Sequence, residues 1–186
     1  MISFGKSLMA VTLGTGAMTI QAMEFRFDNP EELKGWAIVN DGVMGGKSQS
    51  DISIENNALI FSGHVSLENN GGFASTRRAG FQTPKGSDLV RILVKGDGKT
   101  YKLRLKDNNS WIGATYTTDF NTEKGSWVER TFGEGDFVAK WRGQTIPDAP
   151  PLVLSEVTQL GFLISDKQEG KFEVQIKEIE FMTPGE

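Results

Sequence analysis

An all-β sandwich of the jelly-roll type, made of two antiparallel sheets, is the fold this chain predicts, on three observations. Apolar residues recur mostly with period two, as in Ile52/Ile54, Tyr101/Leu103/Leu105 and Phe172/Val174/Ile176, the spacing of half-buried strands. Clusters of Asn, Asp and Gly interrupt the pattern at 40–42, 45–46, 56–57, 69–72, 107–109 and 134–136, at intervals that suit short strands. Twenty-two glycines and twelve phenylalanines stand against only six prolines, a balance that favours tight turns and pleated surfaces over long helices. With 186 residues, 38% of them hydrophobic, the chain has enough apolar material for one domain with a two-layer core.

The elements follow in chain order. The first 22 residues carry one charge, Lys6, then the apolar run 8–13, then Ala17, Met18 and Ile20, ending at Ala22. This predicts a signal peptide over residues 1–22, a single domain over 23–186, and a periplasmic or secreted protein; the alternative is a cytoplasmic protein starting at Met23. The run is shorter than the roughly 20 residues of a membrane-spanning helix, so no transmembrane segment is expected. Residues 99–106 alternate most clearly: Tyr101, Leu103 and Leu105 point to a core, while Lys102, Arg104 and Lys106 face solvent or a ligand. The Gly96-Asp97-Gly98 turn predicts an antiparallel hairpin with residues 89–94. Residues 147–151 suggest an ordered surface loop, and 155–160 alone suggest a short helix. Near the end, the alternation Phe172, Val174, Ile176 slips to Ile179 and Phe181, which predicts a β-bulge at Lys177-Glu178.

Several chemistries fail on count or spacing. The net charge of −4 is spread along the chain, with no basic arm, so nucleic acid is not an expected partner. The absence of cysteine excludes disulfides, thiolate metal sites and cysteine nucleophiles. Gly98-Lys99-Thr100 ends like a phosphate-binding loop, but the required glycine five places earlier is Leu93. His64 is the only histidine and sits in an apolar strand-like setting. Loop aspartates Asp41, Asp97, Asp107 and Asp136 match no calcium-loop spacing and are expected to be solvated turn residues, with no metal and no cofactor. Among the tryptophans, Trp36 and Trp127 are expected in the core, Trp111 exposed and Trp141 between the two.

Two segments hold more glycine and amide than turns require. One spans residues 40–48 and contains Asn40, Asp41, Met44, Gly45 and Gly46; the other spans 69–75 and contains Asn69, Asn70, Gly71, Gly72 and Phe73. Together with residues 95–101, Asp136-Phe137, Trp141-Arg142-Gly143 and 161–170, they resemble the complex I intermediate-associated protein 30 family over about 25–181. That resemblance implies a galactose-binding-like fold, no catalytic residues, and a protein-binding, chaperone-like assembly role of the kind mitochondrial members play for respiratory complex I. Trp141 stands where the family's arginine-glycine loop usually has another aromatic.

The expected site gathers both segments at one surface, with Arg77, Asp97, Arg142 and Asp166 close by. Met44, Phe73 and Trp111 would supply apolar contact to a protein partner, and arginine–aspartate pairs would brace the loops if the cluster is structural instead. A carbohydrate-binding module is the alternative by fold analogy. An enzyme would need Asp41 and Asp166 to converge as a carboxylate pair.

Overall fold

The computed structural model describes residues 22–108 and 113–183, so the expected signal peptide up to residue 21 and Trp111 lie outside the described residues. Among the described residues, thirteen strands form two antiparallel sheets. The six-stranded sheet contains β1 (Met23–Arg26), β3 (Gln49–Glu55), β4 (Ala58–Val65), β6 (Leu89–Gly96), β9 (Val128–Gly133) and β13 (Gly170–Met182). Its order is β3-β4-β13-β6-β9, with β1 pairing the second half of β13. The seven-stranded sheet contains β2 (Trp36–Ile38), β5 (Ala74–Ala79), β7 (Thr100–Asp107), β8 (Thr115–Asn121), β10 (Val138–Trp141), β11 (Gln144–Thr145) and β12 (Val157–Ile164), in the order β11-β10-β8-β7-β12-β5-β2. Its edges, β2 and β11, are only three and two residues long, which limits pairing with other chains.

Period two places one face of each strand in the core. Tyr101, Leu103 and Leu105 of β7, Phe162 and Ile164 of β12, and Val90, Ile92 and Val94 of β6 are all buried between the sheets. Aromatic rings fill the space: Trp36 stacks on Phe162 at 6.2 Å between centroids, Tyr101 lies 6.0 Å from Phe120, and Phe61 meets Phe172 edge-on at 5.0 Å. The slip in the C-terminal pattern is a β-bulge: the β13–β6 register shifts between Ile176 and Glu178, so Ile176 and Ile179 both face inward.

Three expectations are corrected. Residues 89–94 and 99–106 do not form a hairpin, because β6 pairs β13 and β9 in one sheet whereas β7 pairs β8 and β12 in the other. The turn between them is a corner through the sandwich, pinned by Thr122, whose hydroxyl accepts from Gly98 N at 3.1 Å and donates to Lys99 O at 2.9 Å. Both strands turn their apolar face to the same core, so alternation alone could not separate the two arrangements. Residues 155–160 are not a helix: a 3-10 turn over Leu154–Glu156 leads straight into β12, whose Leu160 takes the inward place of a strand. Trp127 is not in the core. It is 38% exposed, with the ammonium groups of Lys95 and Lys177 over its ring at 4.9 and 5.7 Å, whereas Trp36 is buried as expected.

Candidate functional site

The outward face of the seven-stranded sheet carries an open cleft of about 550 Å³. Its floor is set by register. Arg77 of β5, Gly161 of β12, Arg104 of β7 and Thr117 of β8 lie side by side in one row across four strands. The next row contains Lys102 and Leu163, and Gln159 sits opposite Lys106 on the other side. The alternation that buries Tyr101, Leu103 and Leu105 thus aims Lys102, Arg104 and Lys106 into the cleft.

Gly161 leaves a gap in this row. A Cβ there would lie 2.3 Å from the Thr76 carbonyl oxygen, so the close approach of β5 and β12 requires glycine. The floor between Arg77 and Arg104 is therefore bare backbone.

One wall is built by the two glycine-rich segments, and Asp41 holds them together. Its carboxylate is 1% exposed and accepts four hydrogen bonds, from Ser48 N at 2.9 Å, Ser48 Oγ at 2.5 Å, Gly72 N at 2.7 Å and Phe73 N at 3.2 Å. Burial pushes this carboxyl upward, but the donors from Ser48, Gly72 and Phe73 together prevail and hold it below its ordinary range. Gly46 and Gly71 are glycines because a Cβ on either would strike the Asp41 carboxylate, at 2.4 and 2.7 Å. Asn40 adds a second tie, its Oδ1 accepting from Ser50 Oγ at 2.8 Å and, at 3.4 Å, from Ser75 N; Asn69 donates to Gly45 O at 3.1 Å.

The opposite wall comes from β10 and the turn after it. Trp141 is 49% exposed, with its indole nitrogen over Gly113 and the Arg142 guanidinium 4.9 Å from its ring. At the end of the cleft Lys102, only 6% exposed, lies 2.7 Å from both Asp119 and Asp166. Its hydrogen bond to Lys102 holds Asp166 below the usual carboxylate range, and these two carboxylates offset the burial of Lys102 and raise it.

The other basic side chains of the floor lack such partners. Among the described residues Arg77, Arg104 and Lys106 make no ion pair, and Arg104 Nε is fully buried without a hydrogen bond. Burial, then the nearby Arg77, lowers Arg104 from its ordinary value; burial, Arg104 and Arg77 do the same to Lys106.

Of the residues expected at the site, Asp41, Met44, Asn70, Phe73, Arg77, Arg142 and Asp166 line the cleft. Asn40, Gly45, Gly46, Asn69, Gly71 and Gly72 support the wall behind it. Asp97 is elsewhere: it pins the corner, accepting from Tyr101 Oη at 3.1 Å and from Glu173 N at 3.2 Å in the other sheet. The wall is braced by Ser48 and backbone amides in place of the expected arginine–aspartate pairs. Lys102, Arg104, Lys106 and Gly161 were not among the expected site residues, although the alternation of residues 99–106 already turned the first three outward. No three His, Asp or Glu side chains gather as a metal-ligand set among the described residues.

Two antiparallel sheets with a cleft across the outer face of one make a galactose-binding-like jelly-roll sandwich, a fold this chain shares with solved carbohydrate-binding modules. A family 11 carbohydrate-binding module from Clostridium thermocellum, solved with a β-1,3-1,4-mixed-linked tetrasaccharide, is similar with a TM-score of 0.63 and 16% identity, over 88% of this chain and 97% of that one. The family 11 module of the Clostridium thermocellum cellulase Lic26A-Cel5E gives 0.57 and 12% identity, over 100% of this chain and 98% of that one. The chain itself belongs to the complex I intermediate-associated protein 30 family, whose sequence profile matches residues 25–176. The mitochondrial complex I intermediate-associated protein 30 of Mus musculus is 24% identical over 176 residues, covering 82% of this chain and 53% of that protein, so the chain spans about half the length of this relative. No helix among the described residues is long and apolar enough to cross a membrane.

Proposed function

We propose that this protein is a non-catalytic binding domain that holds a protein partner in the cleft of its seven-stranded sheet, in an assembly role resembling that of its family. The observation that carries this reading is an exposed apolar rim over a prebuilt cleft. Met44 is 70% exposed and Trp141 49%, both lining the cleft, whose wall is fixed by the Asp41 network. Such a rim, with an aromatic and a thioether above a rigid floor, suits protein side chains.

The cleft's acids argue in the same direction. A carboxylate pair of the glycosidase kind needs one member kept protonated, yet Asp41 and Asp166 are both held below their ordinary range by hydrogen bonds and Lys102. His64 stands on β4 in the other sheet and does not line the cleft. The setting that suits an N-terminal export signal is the periplasm or the exterior.

A saccharide ligand is the second reading, favoured by half-exposed Trp141 and by the similarity to carbohydrate-binding modules. Against it, the floor of the cleft carries four basic side chains, Arg77, Lys102, Arg104 and Lys106, and the aromatics that line the cleft among the described residues, Phe73 and Trp141, belong to its walls.

Affinity capture from the native organism, with a tag after Glu186, tests the proposal. A protein partner is expected, captured by the wild type and lost with Met44→Asp or Trp141→Ala at unchanged melting temperature. Capture of glycan without protein, or an undiminished partner yield with both variants, overturns it.

A further inference from the structure

We infer that the bare slot between Arg77 and Arg104 receives a carboxylate from an acidic peptide segment of the partner, an inference that rests on the protein-binding reading above. The slot's dimensions follow from strand register. Arg77 and Arg104 flank Gly161 on adjacent strands, so their Cα atoms are separated by two interstrand steps, about 10 Å. Arg77, Gly161 and Arg104 all line the open cleft, so a carboxylate lying in the cleft above Gly161 has a guanidinium-bearing side chain on each side to supply charge-assisted bonds.

Three features support a role for these cations toward something outside the chain. First, the neighbouring cation is treated differently: Lys102, in the next row of the same strand, has Asp119 and Asp166 at 2.7 Å, whereas Arg77, Arg104 and Lys106 have no ion pair among the described residues. Second, Arg104 Nε is fully buried with no hydrogen-bond partner, and Nη2 reaches only Thr115 Oγ1, at a long 3.5 Å. A buried donor without an acceptor lowers stability, so the guanidinium is not a brace. Third, Arg77 and Arg104 repel each other, which lowers Arg104 further after burial has done so. A carboxylate arriving at the guanidinium Nη atoms relieves the first and the third. The chain's own net charge of −4 makes this basic floor a local reversal of sign.

Peptide is favoured over an acidic sugar by what surrounds the slot. Leu163 lies on the floor beside it, and Met44 lines the cleft. These match the aliphatic neighbours of a glutamate or aspartate in a peptide better than they match the hydroxyls of a uronate.

Calorimetric titration of the full chain tests this with four probes: a blocked peptide with two glutamates between leucines, the same peptide with glutamines, an oligogalacturonate and a neutral mixed-linked glucan tetrasaccharide. The glutamate peptide should bind at least tenfold more tightly than the glutamine peptide, and its affinity should fall as salt rises. Arg104→Met and Arg77→Met should each weaken it at least tenfold, while Lys171→Met, an exposed cation on the other sheet, should leave it unchanged. Because Arg104 has no ion pair among the described residues and only one long hydrogen bond, Arg104→Met should keep or raise the melting temperature; a fall of several degrees would make it a structural residue and overturn the inference. Equal binding of both peptides overturns it as well, as does binding of the oligogalacturonate with no binding of the glutamate peptide. Repeating the partner capture with Arg104→Met separates the two readings. Full capture by that variant overturns the slot while leaving the protein-binding role standing, whereas a wild-type chain that captures no protein overturns the role itself.

Discussion

Gly72 donates its backbone N–H to the buried carboxylate of Asp41 at 2.7 Å, across thirty-one positions of sequence. With the two bonds from Ser48 and the one from Phe73, that contact makes a single carboxylate the fastening of two loops. Replacing it with alanine leaves the backbone N–H groups of Ser48, Gly72 and Phe73 without this acceptor, while the Ser48 hydroxyl, as a donor, keeps only its longer bond to Ser66 O. Asp41→Ala should cost roughly 3 kcal/mol, the loss expected for several bonds to a charged acceptor less what water can restore. In a chain of this length that is about 6–12 °C of melting temperature, measurable by calorimetry. A loss of ligand binding with the melting temperature unchanged would contradict the bracing role.

The same carboxylate sets a pH dependence. Its folded value lies below that of the unfolded chain, so its stabilisation is fully present above the unfolded carboxyl value of about 3.9 and is lost as pH falls from there through the folded value. Asp166 contributes in the same direction, weakly, because it is largely exposed and screened. Chemical denaturation at several pH values should show stability falling below about pH 4 in the wild type. The slope should be shallower in Asp41→Ala, and an identical slope would exclude Asp41 as its source.

The sandwich was legible because its strands are half-buried: each carries one apolar face, and period two survives even through the bulge at Ile176/Glu178. Sheet membership was not legible, since Leu89–Gly96 and Thr100–Asp107 present the same pattern whether they pair or cross the core. The loops of the site were visible as glycines beside Asn and Asp. Their fastening by backbone amides was not, because a backbone donor has no signature in the sequence. The basic floor was half legible. Alternation turned Arg104 outward, but its lack of an acid partner depends on β12 placing Gly161 and not a carboxylate beside it.

Gln168 ties the family-like loop at 165–170 to the start of β7. Its Nε2 donates to Thr100 O at 2.7 Å and to Ser165 O at 3.1 Å, while its Oε1 accepts from Thr100 N at 3.1 Å, so the side-chain amide mimics a neighbouring strand. Gln168→Ala should cost roughly 2 kcal/mol, three neutral bonds at about 1 kcal/mol each less what water restores at a half-buried site, seen as an earlier midpoint in urea. Gln168→Glu keeps the acceptor but loses both donations, and should fall between alanine and wild type. Wild-type stability in the alanine variant would show that the loop holds without this side chain.

Gly161 is where the packing of the sheet and the shape of the cleft meet. A methyl group at this position would sit 2.3 Å from the Thr76 carbonyl oxygen and 3.1 Å from the Arg77 Cα, distances that backbone must move to accept. Moving β5 away from β12 strains the ladder that carries Arg77, whose partner across the pair is Gly161 itself. Gly161→Ala should therefore destabilise by about 1–3 kcal/mol, as overpacking does, even though alanine is otherwise the better strand residue. Gly125, whose Cβ would meet nothing within 4 Å, supplies the control: it sits at φ +77°, so its alanine variant loses only the conformational preference of glycine. Comparing the two variants by thermal melting and amide exchange separates the causes. In Gly161→Ala exchange should quicken along Ala74–Ala79, whereas in Gly125→Ala that strand should exchange at the wild-type rate, and a wild-type exchange pattern in both would mean that β5 and β12 are not held at the spacing the glycine permits.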